Sequence, residues 1–467
     1  MLPSEIVPEW ADMQGPILSA YPHLDRATYL LYHITNVGDA QDWLRWLVPE
    51  LTPALKNGRT RSSSEAATSA PSAAAEKPPC VNVALTYSGL TTLCRARRWT
   101  SDGFSTAFTE RIDGSGHRQR ILGDTGRSAP SDWRWGGLHR PVDILLMLFA
   151  PDDAALRAAI ARYTPHSGLE LRAEVPAVPL TAMGGHEHFG FMDGMSQPIL
   201  TGSHDAERFP ESRHLTALGE VVLGYPNADG VVPVVPSVTP CPTFGRNGTY
   251  LVARQLEQHV GEFWSFFLRK AGDDATAAEQ LAAKAIGRQR DGTPLVPYTT
   301  RDDNEFGFAE DPHGYGCPMG AHIRRANPRD TFDNENVTRA AALASNRHRI
   351  LRRGRSYGST HEQDPLNASE RGLMFLCLNG DLERQFEFIQ QDWINNSGFA
   401  GLLDERDPLL GDHQREKAFT IQGLPSPARV SGLSRFVTVR GAEYFFLPGL
   451  SALNRLVNGF AGGGGHA

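Results

Sequence analysis

The sequence predicts an α+β protein of two ferredoxin-like domains, each an antiparallel sheet with helices packed on it, in a dimeric α+β barrel-like arrangement. Three observations predict it. The chain has 467 residues, more than one ordinary core supports. Strand-like and helix-like stretches alternate in both halves. The one long segment nearly free of large apolar residues interrupts a half, because strand-like sequence resumes on both sides of it. The division that follows is residues 1–205 and 206–460. No sequence repeat relates the halves.

In the first half, Tyr29 to Ile34 reads as a strand and DAQDWLRWL as the helix after it. Val81 to Tyr87 alternates like a strand and runs into SGLTTLC. Val142 to Phe149 is a buried strand, and Pro151-Asp152-Asp153 opens an Ala-rich helix that ends near Tyr163. In the second half, Tyr250 to Leu256 leads into a helix around Phe263, Trp264 and Phe267. Gly372 to Leu378 leads into a helix from Asp381 to Ile394, on which Leu382, Phe386, Ile389 and Trp393 share a face. FVTVRGAEYFFLP closes the fold as a hairpin turning at Arg440-Gly441. The Ser-, Ala- and Pro-rich stretch 57–79 cannot bury enough surface to offset its ordering entropy and reads as a mobile loop, like the tail GGGGHA.

Composition excludes several function classes. Apolar residues make up 40% and charged residues 21%, as in ordinary globular proteins. A net charge of -7 offers no bulk basic field for nucleic acid or an anionic membrane. No apolar run approaches the length of a membrane span. Cysteines 80, 94, 241, 317 and 377 are odd in number and form no C-x-x-C, which points to reduced thiols. The first residues, MLPSEIVPEWADMQ, show neither a secretory pattern nor a twin arginine, so a cytoplasmic location is expected. The N-x-S/T triplets at Asn247, Asn336, Asn367 and Asn395 then read as chance.

Three stretches could carry chemistry. In Glu187-His188-Phe189-Gly190-Phe191-Met192-Asp193-Gly194-Met195-Ser196-Gln197-Pro198, two glycines flank an Asp that serves either an Asx turn or proton transfer. On chemistry alone the turn has the better claim. In Cys317-Pro318-Met319-Gly320-Ala321-His322-Ile323-Arg324-Arg325-Ala326-Asn327-Pro328-Arg329, an imidazole and three guanidinium groups suit a large anionic metal cofactor, or else a core histidine beside a solvated basic loop. Arg347 to Gly358 packs five arginines into nine residues without a phosphate-binding GK[ST], which reads as a solvated face or an anion site.

Together the three stretches resemble the dye-decolourising peroxidases. That family carries HFGF-x-DG-x-SQP, matched by His188 to Pro198, and CP-x-GAHIRR-x-NPR, matched by Cys317 to Arg329. Its RILRRG-x-x-YG segment is matched by Arg349 to Gly358. GLMFLCLNGDLERQFEFIQQDW and ADMQGPIL look like further family segments, so the resemblance spans nearly the whole chain. It departs at the 57–79 loop and at Arg355-Ser356.

The resemblance implies two ferredoxin-like domains with haem b (iron protoporphyrin IX) held mainly by the second. It implies His322 as the iron ligand, Asp193 as the proton-transferring group and Arg352 as the stabiliser of developing charge. Hydrogen peroxide and small organic electron donors or dyes are the expected partners. Activity favouring acidic pH follows from an ionised Asp193. Leu373 and Phe375, two apart on a strand, would cover the distal pocket, though ordinary core packing explains them equally well. Arg324, Arg325 and Arg329 are candidates for the haem propionates, with Arg347 and Arg349 behind them. Glu387 or Glu383 would support His322 as a carboxylate partner. Trp133, Trp135, Trp264, Trp393 and Tyr357 are available to relay electrons from bulky donors. Three alternatives stay open: a haem-handling protein without peroxidase activity, a thiolate site at Cys317, and a metal site on His186 and His188. Homo-oligomerisation is admitted but not specified.

Overall fold

The computed structural model describes residues 7–54, 78–94, 100–239, 241–296, 304–332, 345–360, 369–413 and 418–461. Most of the 57–79 stretch, the glycine tail and the triplets at Asn336 and Asn367 lie outside these residues.

In the first half, strands β1 (Arg26–Ile34), β2 (Cys80–Leu85), β3 (Ile144–Ala150) and β4 (Leu169–Ala177) stand in the order β2-β3-β1-β4. In the second, β5 (Thr249–Gln258), the short pair β6 (Leu351–Arg352) and β7 (Arg355–Tyr357), β8 (Gly372–Asn379) and β9 (Val437–Leu447) stand in the order β6/β7-β8-β5-β9. Counting each half from its first strand, both orders are second, third, first, fourth. That is the ferredoxin-like order, with the chain returning across the sheet through helices. The halves join edge to edge where Phe446 of β9 pairs with Leu85 of β2, making one open sheet rather than two. It does not close into a barrel; β4 and β6 are its outer strands.

Helices α1 (Val37–Leu47), α2 (Tyr87–Cys94), α3 (Asp153–Tyr163) and α4 (Val260–Lys270) follow the strands as the periodicity predicts; among the further helices are α5 (Ala275–Ile286), the short α6 (His322–Ala326) and α7 (Leu450–Ala461). Asn36 caps α1 through the Asp39 N–H, and Asp152 caps α3 through the Ala155 N–H, satisfying donors that have no helical partner. No helix among the described residues is long and apolar enough to cross a membrane.

The central strands are buried on both faces. In β3, Ile144, Leu146 and Leu148 enter one apolar cluster while Leu145, Met147 and Phe149 enter another, as the two-residue period of a strand requires. Helices cover the first cluster. The N-terminal segment around Trp10, Met13 and Ile17, with Leu218 to Tyr225, covers the second. The helix expected from Asp381 to Ile394 forms as two π-helical turns, Glu383–Glu387 and Ile389–Ile394, whose wider spacing carries the Glu387 N–H to the Leu382 carbonyl.

The expected terminal hairpin does not form. Val437–Leu447 is one continuous strand paired with β5 along its length. Gln255 pairs with Gly441 and Leu256 with Val439, so Arg440 is the extra residue of a β-bulge and turns its side chain to Glu257 at 2.6 Å. A two-residue turn at Arg440-Gly441 would strip β5 of its partner and take Phe445 and Phe446 out of the core. Glycine is needed at 441 for another reason: a Cβ there would lie 2.5 Å from the buried Trp135 indole. Gly441→Ala is therefore expected to destabilise the fold by about 1–3 kcal/mol, the usual cost of overpacking, as measured by equilibrium denaturation.

Candidate active site

Between β4 and β5, the segment Glu187 to Pro198 folds into a tight loop. Gly190 and Gly194 both have left-handed backbone angles, φ 90° and 81°. At Gly190 the positive φ favours glycine, and a Cβ there would also have to displace the end of the Arg290 side chain. Phe189 stacks on Phe263 of α4 with ring centroids 4.4 Å apart, and Trp264 lies parallel to Phe191. The loop thus belongs to the first half in sequence but packs against α4 of the second.

Asp193 leaves this loop to meet Arg352, whose Nη1 donates to its Oδ1 at 2.9 Å. Arg352 is the last residue of β6, paired with Cys377 of β8, and its Nη2 donates to the Met195 carbonyl at 2.7 Å. Its backbone N–H also donates to Gln197 Oε1. Every donor that fixes the guanidinium therefore points back to the loop that carries Asp193. Burial by itself would raise the Asp193 carboxyl. The Arg352 charge, the Gly194 N–H and the Arg352 hydrogen bond outweigh burial and hold it below the usual carboxylate range.

His322 opens α6 and directs Nδ1 to Asp407 Oδ2 at 2.9 Å. Asp407 is fully buried, and its Oδ1 accepts the N–H groups of Leu409 and Leu410. Burial opposes both charges. The mutual attraction of the pair overrides it, lowering the Asp407 carboxyl and raising the His322 imidazole. The other ring nitrogen is left for the cavity.

Asp407 stands behind His322, and Asp193, Arg352 and His322 line the same cavity. Leu373 and Phe375 of β8 share its wall with Leu256 of β5 and Val437 of β9, and Phe386, Ile389 and Trp393 add aromatic and aliphatic surface from the π-helical turns. Asp193, Arg352, His322, Leu373, Phe375 and Arg329 are thereby brought together.

Other expectations fail on geometry. Glu387 does not reach His322; it pairs with Arg118 and accepts the Tyr444 hydroxyl at 2.7 Å. Glu383 is occupied by Ser105 and the Ala107 N–H. Arg324 does not line the cavity. It is fully buried in the opposite direction, over the Phe308 ring and bonded to Asp311 and the Cys317 carbonyl, because the short α6 that aims His322 inward must turn Arg324 outward. Arg325 holds the Trp393, Asn396 and Glu405 carbonyls, and Arg347 pairs with Asp229 at the surface.

Arg329 and Arg349 do line the cavity. Among the described residues their hydrogen-bond partners are backbone carbonyls, the Ser196 hydroxyl and His214, with no carboxylate. Burial pushes Arg329 down to about 9, with the neighbouring Arg349 and Arg288 charges adding to the effect, and pushes Arg349 down to about 10. Two desolvated cations side by side at a cavity wall suit a dianionic occupant.

The thiolate and two-histidine alternatives lose support. Cys317 is fully buried away from the cavity, with its thiol pushed up to about 12 by burial. His188 hydrogen-bonds the Tyr357 carbonyl and is pushed down to about 4 by burial. Among the described residues no group of three or more His, Cys, Asp and Glu side chains could hold a metal ion. Of the aromatic side chains considered as relays, Trp133, Trp135, Trp393 and Tyr357 are buried and Trp264 is half-buried.

Sequence reasoning missed Asp407 altogether. It stands 85 residues after His322 with no local spacing to link them, and the Asp-Pro-Leu-Leu turn is its faint signal. Glu187, which also lines the cavity, was quoted in its motif without a role.

No family model matches the chain. Proteins with recorded names do. The chain is 31% identical over 362 residues to the multifunctional dye peroxidase DyP2 of Amycolatopsis sp., covering 70% of this chain and 74% of that one. It is 30% identical over 301 residues to the dye-decolorizing peroxidase AauDyP1 of Auricularia auricula-judae, covering 58% of this chain and 56% of that one. The solved structure of the Amycolatopsis enzyme superposes with a TM-score of 0.75 at 27% identity, over 95% of this chain and 96% of that one. A variant of the Pleurotus ostreatus enzyme shares the fold with a TM-score of 0.80 at 22% identity, over 97% and 100%. Fold and relatives define the class: an oxidoreductase that acts on peroxide. Within that class, the chain belongs to the dye-decolourising peroxidase family.

Proposed function

We propose that this peroxidase binds haem b in the cavity above, reduces hydrogen peroxide to water, and oxidises dyes, phenolics or other small organic one-electron donors. The observation that carries the cofactor assignment is the chemistry of the cavity wall. Apolar surface from Leu373, Phe375, Ile389 and Val437 suits the macrocycle. Arg329 and Arg349, which bond to no carboxylate among the described residues, suit its propionates. His322, tethered at Nδ1, offers its other nitrogen to iron. Arg352 completes the set.

Haem, when bound, supplies a redox-active iron with an open position for peroxide. Asp193 takes the proton from one peroxide oxygen and delivers it to the other, which leaves as water. Arg352 stabilises the negative charge that develops on the leaving oxygen, and its bonds to Asp193 and Met195 hold it there without reorganisation. Asp407 keeps the His322 proton on Nδ1, which fixes the tautomer and makes the imidazole a stronger donor. Because its carboxyl is held below the usual range, Asp193 stays ionised as pH falls and is lost as a base only when pH drops through that lowered value. Activity should therefore persist well into acidic pH.

Residues 1–205 and 206–460 are the proposed domains. The five cysteines are free thiols, which supports a reducing, cytoplasmic setting. The chain is also 32% identical over 206 residues to a deferrochelatase of Yersinia pestis, covering 44% of this chain and 39% of that one, and a haem-handling role without peroxidase activity is the second reading. The Asp193–Arg352 pair favours the peroxidase reading, since holding haem requires no proton-transferring carboxyl paired with that arginine. Visible spectra of haem-loaded protein before and after adding peroxide test it. The Soret band is expected to shift and then return when an organic donor is added; an unchanged band would overturn the proposal.

A further inference from the structure

The loop that carries Asp193 contains a second cavity-lining carboxyl, Glu187, which the mechanism above does not use. Its bonds are of one kind. Oε2 accepts the Phe189 N–H at 2.8 Å and the Gln258 side-chain amide at 2.6 Å, and Oε1 accepts the Phe191 N–H at 2.9 Å. The backbone closes the same ring: Glu187 N–H donates to the Phe191 carbonyl at 3.0 Å, and Gly190 N–H donates to the Glu187 carbonyl at 2.8 Å. Asp193 follows Phe191 by two residues and is anchored in turn by its own N–H on the Gly185 carbonyl at 3.0 Å. A single carboxyl thus gathers the N–H groups just before the residue whose placement on Arg352 the reaction needs.

The charged surroundings are sparse. The loop itself contributes Asp193, whose negative charge acts on Glu187, and His188, which turns to the Tyr357 carbonyl and is neutral near pH 7. The segment after α5 contributes Arg288, which lines the same cavity and holds the Gly292 carbonyl, Ser196 and Asn304, and Arg290, whose guanidinium meets the Gly190 carbonyl, the Trp264 face and Glu279. β5 contributes only the neutral Gln258. Among the described residues Glu187 therefore has three neutral donors and no cation bonded to it. Burial pushes its carboxyl up to about 7, against the Phe189, Phe191 and Gln258 hydrogen bonds. The two carboxyls of one loop are driven apart in proton affinity, an arrangement that separates acid and base roles.

We propose that Glu187 is a positioning residue of the peroxide reaction, which ties the loop that aims Asp193 at Arg352 and, through its own charge, sets the alkaline limit of the range in which Asp193 works. Protonated, it leaves Asp193 and Arg352 as a neutral pair in the distal cavity. Ionised, it adds a negative charge to that wall, which raises the proton affinity of Asp193 and opposes the charge developing on the leaving oxygen.

This rests on the reading of Asp193 given above, which Asp193→Asn tests separately. The closing experiment compares Glu187→Gln and Glu187→Leu in the haem-loaded full chain. Gln keeps an oxygen acceptor and removes the charge. It should hold peroxide kcat/KM within a few-fold at acidic pH while the decline near pH 7 disappears. Infrared difference spectra of native and Gln proteins should show a carboxyl band that titrates in that range. Leu removes the acceptors. It should lower peroxide kcat/KM by about 10²-fold, the scale of a reacting group displaced by an ångström, with the KM for the organic donor unchanged. Its crystal structure should show the 2.9 Å contact between Asp193 and Arg352 opened. Should the Leu chain fail to fold, Gln258→Leu, which removes one donor of the clamp, takes its place and should lower peroxide kcat/KM in the same direction. A Gln variant with the native pH profile overturns the charge role; native peroxide kinetics in the clamp variants overturn the positioning role.

Discussion

Replacing Asp193 with Asn is expected to lower kcat/KM for hydrogen peroxide by about 10²–10⁴-fold, the range over which a positioned acid–base group contributes. The substitution nearly preserves shape. The amide oxygen can still accept from Arg352 Nη1, which now sits 2.9 Å from Asp193 Oδ1. What is lost is the charge that takes up a proton, so the defect should fall on the peroxide step and spare the haem spectrum of the resting protein. Arg352→Leu should give a defect of similar size, roughly 10²–10³-fold, for a different reason: the charge on the leaving oxygen goes unanswered. It also removes the cation that holds Asp193 ionised, so the surviving activity should fade at a higher pH than in the native protein. Stopped-flow mixing with peroxide measures both. Full peroxide turnover by the Asn variant would sink the assignment of Asp193.

The second large effect is at Asp407. Asp407→Asn should weaken haem binding or activity by about 10–100-fold, as loss of an outer carboxylate partner does at metal-bound histidines. The amide oxygen can go on accepting the Leu409 and Leu410 N–H groups, so the turn keeps its shape while His322 Nδ1 loses its anionic partner. The reduction potential of the loaded protein should rise, because a less electron-rich imidazole stabilises ferric iron less. A haem titration and a redox titration read the two changes. Glu387→Gln is the control. It leaves Arg118 without its buried carboxylate and should lower stability, yet leave both the haem affinity and the potential as they were. If Glu387→Gln moved the potential and Asp407→Asn did not, the roles given to these two carboxyls would be exchanged.

These two carboxyls also mark what a chain of residues shows and what it hides. Strands and helices such as Ile144–Ala150 and Asp153–Tyr163 were legible because apolar period and capping chemistry act between near neighbours. Asp193, His322 and Arg352 were legible as family motifs, since each sits in a short segment whose glycines, prolines and arginines serve one local geometry. Their physical chemistry alone left each with a plain structural reading. Only the fold brings the three to one cavity.

The rest depended on contacts between distant parts of the chain. Arg324 and Arg329 are equally plausible in a sequence, but the direction in which the five-residue α6 presents His322 sends Arg324 to Asp311 and leaves Arg329 at the cavity. Arg440-Gly441 has the composition of a turn, and it is the pairing of β9 with β5, closed against Trp135, that makes it a bulge. The joining of two sheets rests on Phe446 meeting Leu85. Asp407 reaches His322 because the chain returns beneath α6 after 85 residues, and no local pattern encodes that return. Sequence by itself pointed to the family through three short motifs and to most of the strands and helices through local periodicity, signals carried within a few residues. Tertiary structure decided that Asp407 meets His322 and that Arg329 and Arg349 line the cavity, because a partner is chosen by where the folded backbone places it.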